Sequence, residues 1–406
     1  MEKDEQFLHG YFVFVSQLCF DKAKEHVEKE KEQQSIYDTA TWNALLHQLL
    51  QIALAEKSYM EIGFLQNKNK GFLRKDNSLQ AVYDTINFDL KRIEELCKNN
   101  GCDKRVQNHC LNIEEFLSAR SKLMHFYEQI FLCNTSKTKF NEFLQNIELL
   151  TQRSVLQFAD ISLTPMKAAF SLECAILEQL FRSLMELQRL QFLPSLAHIH
   201  GAHTRLQAWE ATKIKNREVR KLGFIKTNYL PALFQWHLNF KAAVLSKFSL
   251  FFHDTLSSQT ASNEMRQLCA KLQYDYYNKM QQFQKRYDAG AVLLLSDNQV
   301  SCDTTAYDCF PIIVSCPPRP SSQVDLILKM IMDVPAEVTS SDVIYKYSSQ
   351  EKLTCIYSVV EPNIYLICLF DGKKTEKDAH ISNFLNETCQ NLRCTKVFAS
   401  LKTLSK

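Results

Sequence analysis

Apolar side chains recur every three or four residues along most of the chain up to about residue 257, which is the spacing of one helix face. The clearest stretch lies between residues 106 and 131. Asp38 and Thr39 are candidate N-caps for a helix that follows them. This pattern predicts an N-terminal bundle of at least six helices. The predicted helical segments are 4–34, 38–64, 78–97, 106–131, 139–150, 166–190, 192 to beyond 209, and 230–256.

Arg120 is the one charged residue on the apolar face of the 106–131 segment. An unpaired guanidinium in a helical core would be strongly destabilising. We therefore expect Arg120 to reach a carboxylate or the surface, and we interpret it as a structural residue rather than a catalytic one.

The pattern changes after residue 289, where continuous apolar runs of strand length begin. A helix over 263–287 precedes them, a helix over 324–332 separates the second strand from the third, and a helix over 378–392 closes the series. The element order is αββαβββα, so the chain is predicted to be mainly α with a C-terminal α+β domain. We predict a helical bundle domain over 1–257 and an α/β domain over 258–406. The predicted strands are 291–296, 310–316, 343–347, 353–359 and 364–370.

The order of these strands in the sheet is also predictable. Pro311 is the second residue of the 310–316 run and Pro317 follows its last residue. Because proline cannot donate to a ladder, this strand belongs at an edge. The 344–348 run alternates around Lys346, a charge typical of the opposite edge. The 291–296 and 364–370 runs are uniformly apolar and belong together in the centre. The expected order is 310s, 290s, 360s, 350s, 340s, which resembles roadblock and longin modules, small platforms common on small-GTPase regulators.

Composition narrows the class of protein further. The 406 residues carry a net charge of +3 with 23% charged residues, so nothing points to nucleic acid as the partner. Only 8 Gly and 9 Pro are present, which favours long helices. The apolar stretch at 11–20 is too short to span a bilayer, and we predict neither a signal peptide nor a transmembrane helix. The 14 cysteines are then expected to be reduced in a cytoplasmic setting.

His198, His200 and His203 form the densest histidine cluster. On a helix His200 and His203 share a face, but no Asp, Glu or Cys at ligand spacing completes a metal site. Structural histidines are the favoured interpretation, and a metal-dependent hydrolase is the alternative. The chain has no phosphate-binding glycine loop and no GxSxG elbow. We therefore predict no catalytic residue, no cofactor and no resident metal, and a protein that is not an enzyme.

A basic segment offers one candidate for partner binding. It contains six cations against the single carboxylate of Glu218, and such a segment can contact an anionic membrane surface or an acidic partner. A solvated linker between helices is the other interpretation. The six candidates are Lys213, Lys215, Arg217, Arg220, Lys221 and Lys226.

Several segments, in order from end to end, resemble the KICSTOR subunit 2 family. None is a catalytic signature, and the specificity lies in the ordered set, which covers essentially the whole chain. The segments are Phe-Asp-Lys-Ala-Lys at 20–24, Val-Glu-Lys-Glu at 27–30, Ala-Glu-Lys-Ser-Tyr at 55–59, Phe-Leu-Pro-Ser-Leu at 192–196, Ala-His-Thr-Arg-Leu-Gln-Ala-Trp at 202–209, Phe-Ser-Leu-Phe-Phe-His at 248–253, Phe-Leu-Asn-Glu at 384–387 and Lys-Val-Phe-Ala-Ser-Leu-Lys at 396–402.

This resemblance implies a non-catalytic scaffold subunit of the KICSTOR complex, alongside kaptin, an integrin-alpha FG-GAP repeat protein and the seizure-threshold protein. It also implies that the complex holds the GATOR GTPase-activating complex at the lysosomal surface, and that it restrains target-of-rapamycin signalling when amino acids or glucose are scarce. Membrane association would be peripheral and through partners. The loop at 299–308 is shorter than expected for animal relatives, which bears on any function of that loop. A module that regulates a small GTPase directly is the alternative from another class.

Overall fold

Long helices account for most of the chain in the computed structural model, which describes residues 2–34, 36–37, 39–65, 78–100, 104–133, 140–157, 160–214, 230–296, 312–317, 327, 330 and 343–403. Nine α-helices precede residue 252 within these ranges, and no strand does. They are α1 Lys3–Ser16, α2 Phe20–Gln33, α3 Ala40–Met60, α4 Leu79–Asn100, α5 Lys104–Leu132, α6 Phe140–Gln157, α7 Thr164–Gln188, α8 Phe192–Ile214 and α9 Ala232–Phe251.

The remaining elements form the C-terminal part. They are α10 His253–Gln259, α11 Ser262–Ala270, α12 Tyr276–Tyr287, β1 Ala291–Ser296, β2 Ile312–Cys316, β3 Ile344–Ser348, β4 Leu353–Glu361, β5 Ile364–Asp371, α13 Ala379–Leu392 and α14 Thr395–Thr403. The prediction of a mainly helical chain with a C-terminal sheet is confirmed.

Three predicted helices are each divided in two. The 4–34 helix breaks at Leu18, which has a φ of 60° in the left-handed region that ends helices. This turn brings His26 of α2 back over Phe7 of α1, with ring centroids 4.5 Å apart. The 230–256 helix breaks at Phe252, whose buried ring packs 5.0 Å from Phe192. Periodicity alone does not detect such breaks, because the apolar spacing continues on both sides.

The predicted 263–287 helix is likewise two helices, α11 and α12. Residues 271–275 separate them, and the Asp275 side chain accepts a hydrogen bond from the backbone N–H of Asn278 at the start of α12. At the N-terminal side, Thr39 caps α3 by accepting from the N–H of Trp42 at 3.2 Å, as predicted. Asp38, the other candidate cap, lies outside the described residues.

The sheet is antiparallel with the order β2-β1-β5-β4-β3, so the predicted order is confirmed. Val292 pairs with Cys368 in the centre, and both are fully buried. The strand β2 ends at Cys316, immediately before Pro317, and forms one edge. Pro311 falls outside the described range, as does the 324–332 helix except for Ile327 and Met330.

The two faces of the sheet belong to different apolar clusters. Leu293 and Tyr357 face a small cluster that includes Ile327 and Met330. Val292 and the alternate residues on the other face join the core that continues into the helices. On that face Phe283 of α12 stacks on Phe384 of α13 with centroids 3.9 Å apart. Helices therefore cover the face that looks towards the bundle.

The last helix, α14, was not predicted, and it joins the two parts of the chain. Phe398 is fully buried among bundle aromatics, 5.3 Å from the ring of Phe240 in α9. The indole N–H of Trp236 donates to the carbonyl oxygen of Val397 at 2.8 Å. Buried apolar residues form one continuous cluster from Phe7 to Leu401. The boundary between residues 257 and 258 stays a prediction about independent folding units.

A buried ion pair lies at the same junction. Lys247 of α9 binds Glu361 at the end of β4, and their side chains are 1% and 2% exposed. Burial raises the pKa of Glu361, and the nearby Lys247 ammonium opposes that shift. Arg393 donates from Nε to the carbonyl oxygen of Val360 at 2.9 Å, beside this pair. Polar and apolar contacts thus both join α9 to the sheet.

Replacing Phe398 with alanine should destabilise the whole chain, because the cavity would open inside the shared core. We expect a loss of about 3–5 kcal/mol in the free energy of unfolding. The measurement is urea unfolding followed by circular dichroism and by tryptophan fluorescence. Phe88→Ala is the matched control, since Phe88 is 62% exposed and its loss should change stability by less than about 0.5 kcal/mol. Equal effects of the two substitutions would contradict the shared core.

Candidate functional site

The largest cluster of ionisable side chains surrounds Arg120 of α5, deep in the helical region. Arg120 is 3% exposed. Its Nε and Nη2 donate to the two carboxylate oxygens of Glu56 in α3 at 3.1 and 2.9 Å. Its Nη1 donates to Oε2 of Glu173 in α7 at 2.9 Å. Of the two expected environments for Arg120, a carboxylate or the surface, the structure confirms the first, with two carboxylates.

Three tyrosines complete the hydrogen bonds of these carboxylates. Tyr83 of α4 donates to Oε1 of Glu56 at 2.6 Å. Tyr59 and Tyr127 both donate to Oε1 of Glu173, at 2.6 and 2.8 Å. All four carboxylate oxygens therefore accept at least one hydrogen bond. We call Arg120, Glu56, Glu173, Tyr59, Tyr83, Tyr127 and His237 the ionic network.

His237 of α9 is the last member of the ionic network. Its Nε2 lies 3.0 Å from the hydroxyl oxygen of Tyr127, and its Nδ1 lies 2.8 Å from the carbonyl oxygen of Leu233. The network thus connects α3, α4, α5, α7 and α9. Helices that contribute to one closed hydrogen-bond system are held at fixed relative positions.

The charge states follow from burial and from the neighbours. Burial disfavours the charged form of Arg120, but attraction to the carboxylates of Glu56 and Glu173 holds its pKa well above the usual value. Burial raises the pKa of Tyr59, Tyr83 and Tyr127 well above 10.0, so these hydroxyls remain donors. The ring of Tyr59 also lies 4.2 Å from the guanidinium carbon of Arg120, a cation–π contact. Each charge in the cluster therefore faces an opposite charge and is hydrogen-bonded.

Sequence reasoning identified Arg120 but missed its carboxylates. Glu56 lies three residues after Ala53 and four before Met60, both on the buried face of α3. Glu173 adjoins Cys174 on the buried stripe of α7. The sequence did contain a signal for these partners: each glutamate lies on the apolar face of a predicted helix, as Arg120 does on its own helix. Which helices meet could not be read from the chain, since Glu56 and Arg120 are 64 residues apart.

A second buried cluster lies at the N-terminal helix. His109 of α5 places Nε2 3.1 Å from Oδ2 of Asp4 in α1 and Nδ1 3.6 Å from Oδ2 of Asp160. Burial alone would lower the pKa of His109, but the nearby carboxylates of Asp160 and Asp4 raise it above the usual value. The same contact with His109 lowers the pKa of Asp160 to about 2. His109 therefore joins α1 to α5 as a cation between two carboxylates.

The predicted histidine cluster does not converge on a metal site. His198 places Nδ1 2.9 Å from the side-chain oxygen of Gln179, while His200 is exposed. Burial lowers the pKa of His198 and of His203. In the ranges that the structure covers, no three His, Cys, Asp or Glu residues are grouped to hold a metal ion.

The basic segment lies almost entirely outside the described residues. Only Lys213 falls within them, in the last turn of α8. The other five candidates and the 299–308 loop lie outside. Most of the cysteines that the structure includes are buried. Burial raises the pKa of the Cys389 thiol to about 11, which makes it unreactive at neutral pH.

One surface feature of the sheet is relevant to partners. Among the strands that the structure describes, β3 lies at an edge and pairs only with β4. Tyr347 is 41% exposed on this strand, and Lys346 is half-buried beside it. An edge strand presents unpaired backbone groups that another strand can use.

No helix within the covered ranges is long and apolar enough to cross a membrane.

These features define a class: a mainly helical protein with a C-terminal antiparallel sheet, in which the principal polar cluster is closed and internal. Comparison with known proteins identifies the family. The family model described as "KICSTOR complex C12orf66 like" matches residues 1–406. The chain belongs to this family, as its sequence motifs predicted.

The alignments with two vertebrate relatives cover nearly the full length of each relative. KICSTOR subunit 2 of Danio rerio is 32% identical over 436 aligned residues, which cover 100% of this chain and 97% of the relative. KICSTOR subunit 2 of Xenopus laevis is 31% identical over 434 residues, which cover 99% and 97%. The similarity therefore includes the helices and the sheet together.

Replacing Arg120 with methionine should strongly destabilise the bundle, because Glu56 and Glu173 would stay buried without their cation. We expect a loss of about 3–5 kcal/mol in the free energy of unfolding, measured with urea. Arg182→Met is the matched control. Arg182 pairs with Glu148 and Glu178 but its side chain is 40% exposed, so its loss should cost at most about 1 kcal/mol. Similar losses in both variants would show that the ionic network contributes no more than a surface pair.

His109 should make stability depend on pH. Because its folded-state pKa is raised above 6.5, its contribution is fully present below that value and is lost as pH rises through the folded-state pKa. We expect His109→Gln to reduce the fall in the urea midpoint between pH 6 and pH 9. His200→Gln, at an exposed position, should leave that fall unchanged. An unaltered pH profile in His109→Gln would refute the cation between Asp4 and Asp160.

Proposed function

We propose that the chain is a non-catalytic scaffold subunit of a KICSTOR complex. In this role it helps to recruit a GATOR GTPase-activating complex to the lysosomal surface, and so restrains target-of-rapamycin signalling during amino-acid or glucose starvation. The observation that carries the proposal is the match of the whole chain to the family model. Its relatives are named as subunits of that complex.

The internal chemistry of the chain supports a scaffold. Its largest ionisable cluster has every carboxylate oxygen occupied by Arg120 or a tyrosine. The second buried pair, Lys247 with Glu361, joins the bundle to the sheet. Both clusters use their charges to hold elements together. A rigid body of this kind suits a subunit that keeps partners at fixed relative positions.

The partners in this proposal are kaptin, an integrin-alpha FG-GAP repeat protein and the seizure-threshold protein, with GATOR bound directly or through them. The edge strand β3 is the candidate docking surface. A partner strand added there would gain backbone hydrogen bonds, and Lys346 would favour an acidic residue opposite it. The location is cytoplasmic, at the lysosomal surface, with peripheral attachment through partners and no nucleic acid.

The sheet order favours a second candidate function. The order β2-β1-β5-β4-β3 is that expected of roadblock and longin modules. By this analogy residues 258–406 would regulate a small GTPase directly. Purified chain that accelerates nucleotide exchange or hydrolysis on a Rag heterodimer in the absence of GATOR would favour this candidate over the scaffold.

Deleting the gene should leave target-of-rapamycin signalling high during amino-acid withdrawal, because GATOR would no longer concentrate on lysosomes. The measurements are phosphorylation of a target-of-rapamycin substrate and the fraction of GATOR that colocalises with a lysosomal marker. Wild-type chain should restore both. Normal shutdown in the deleted cells would overturn the assignment.

The same rescue assay tests the edge strand. Lys346→Glu should fold but lose a partner subunit in co-purification, since it reverses the charge on the strand at the edge of the described sheet. Lys29→Glu, an exposed change on α2, should rescue fully. Full rescue and unchanged co-purification by Lys346→Glu would exclude docking at β3 and leave the scaffold role standing.

A further inference from the structure

The hydrogen bonds of His237 determine where one ring proton lies. Nδ1 is 2.8 Å from the carbonyl oxygen of Leu233, one turn earlier in α9. A carbonyl oxygen only accepts, so Nδ1 carries a hydrogen. A neutral ring would then present a bare lone pair at Nε2, towards the hydroxyl of Tyr127.

The hydroxyl of Tyr127 has one hydrogen but two neighbours that would accept it. Oε1 of Glu173 lies at 2.8 Å and Nε2 of His237 at 3.0 Å. If the hydroxyl donates to Glu173, two lone pairs oppose each other at His237 unless Nε2 is protonated. If it donates to His237, two lone pairs oppose each other at Glu173 unless that carboxyl is protonated. Both arrangements therefore require one more proton than an ionised Glu173 and a neutral His237 provide.

The count of charges gives the same answer independently. Arg120 carries one positive charge, and Glu56 and Glu173 carry two negative charges when ionised. These side chains are 2–3% exposed, so a net negative charge would remain in the core. An uncompensated buried charge is strongly unfavourable. One added proton makes the ionic network neutral.

We infer that the ionic network holds this proton on His237, which is a buried imidazolium that pairs with Glu173 through the hydroxyl of Tyr127. Glu173 is the less suitable carrier. Tyr59 donates to its Oε1 at 2.6 Å and Arg120 donates to its Oε2 at 2.9 Å, and both contacts favour the ionised carboxylate. Among the contacts that the structure describes, the titratable groups nearest the ring are Tyr127 of α5 and, through it, Glu173 of α7. Lys241 lies one turn further along α9, and α8 presents the indole of Trp209.

The proton matters because of the helix that carries it. Besides His237, α9 contains Trp236, which donates a hydrogen bond to α14, and Lys247, which pairs with Glu361 of the sheet. Loss of the proton would leave a buried negative charge and would weaken the attachment of α9 to α5 and α7. The attachment of the sheet to the bundle is thereby sensitive to pH. The unfolded chain releases this proton near pH 6.5, so the native state is destabilised as pH rises above that value.

Nitrogen-15 NMR of the full chain observes the proton directly. In histidine-labelled protein at pH 7, we expect the ring nitrogens of His237 both to show the protonated chemical shift. The signal is assigned by its absence in His237→Gln. A neutral ring with one protonated and one bare nitrogen at pH 7 would overturn the inference.

Stability measurements provide a second test that does not depend on the NMR assignment. In a His109→Gln background, which removes the other buried histidine cation, the unfolding equilibrium constant should rise about tenfold per pH unit just above pH 7. Adding His237→Gln should abolish that dependence, whatever its effect on stability at pH 7. A slope that is the same with and without His237 would also overturn the inference. If the double variant does not fold, the NMR result decides.

Discussion

The guanidinium of Arg120 is the interaction on which the bundle most depends. It lies where a regular helical core would place an apolar side chain, and it is satisfied only when Glu56 and Glu173 arrive from two other helices. A buried ion pair adds less to stability than its geometry suggests, because desolvation opposes it. Its effect is selective: a packing that separates any one partner leaves a charge buried, so the ionic network disfavours alternative helix arrangements.

Some features of the fold can be predicted from the local sequence pattern, and others cannot. Strand order followed from local properties, namely the proline beside β2, the lysine within β3 and the apolar centre of β1 and β5. Helix breaks did not, because Leu18 and Phe252 interrupt the backbone without interrupting the apolar spacing. The helix α14 was missed because Phe398 is buried by residues more than a hundred positions earlier, and no local signal reports that burial.

The same distinction applies to the sites. The need of Arg120 for a carboxylate is a local deduction, whereas the identity of Glu173 is a property of the fold. The histidines at 198, 200 and 203 illustrate the converse: adjacency in sequence did not produce convergence, since His198 contacts Gln179 while His200 faces solvent. In a helical bundle, residues that act together come from different helices, and a cluster within one helix is poor evidence of a site.

Helix α9 connects the two buried ionic groups, and this is where the fold and the proposed scaffold role meet. His237 and Lys247 are ten residues apart on it, which corresponds to about 15 Å along the helix axis. One contacts the ionic network of the bundle and the other contacts Glu361 of the sheet. Because α9 is a continuous helix between them, a displacement of the sheet must either move His237 relative to Tyr127 or break the pair with Glu361. Both alternatives expose or isolate a buried charge. The sheet is therefore held in place by electrostatics as well as by its apolar core. A partner bound at β3 would contact a sheet that keeps a fixed orientation relative to the helical bundle.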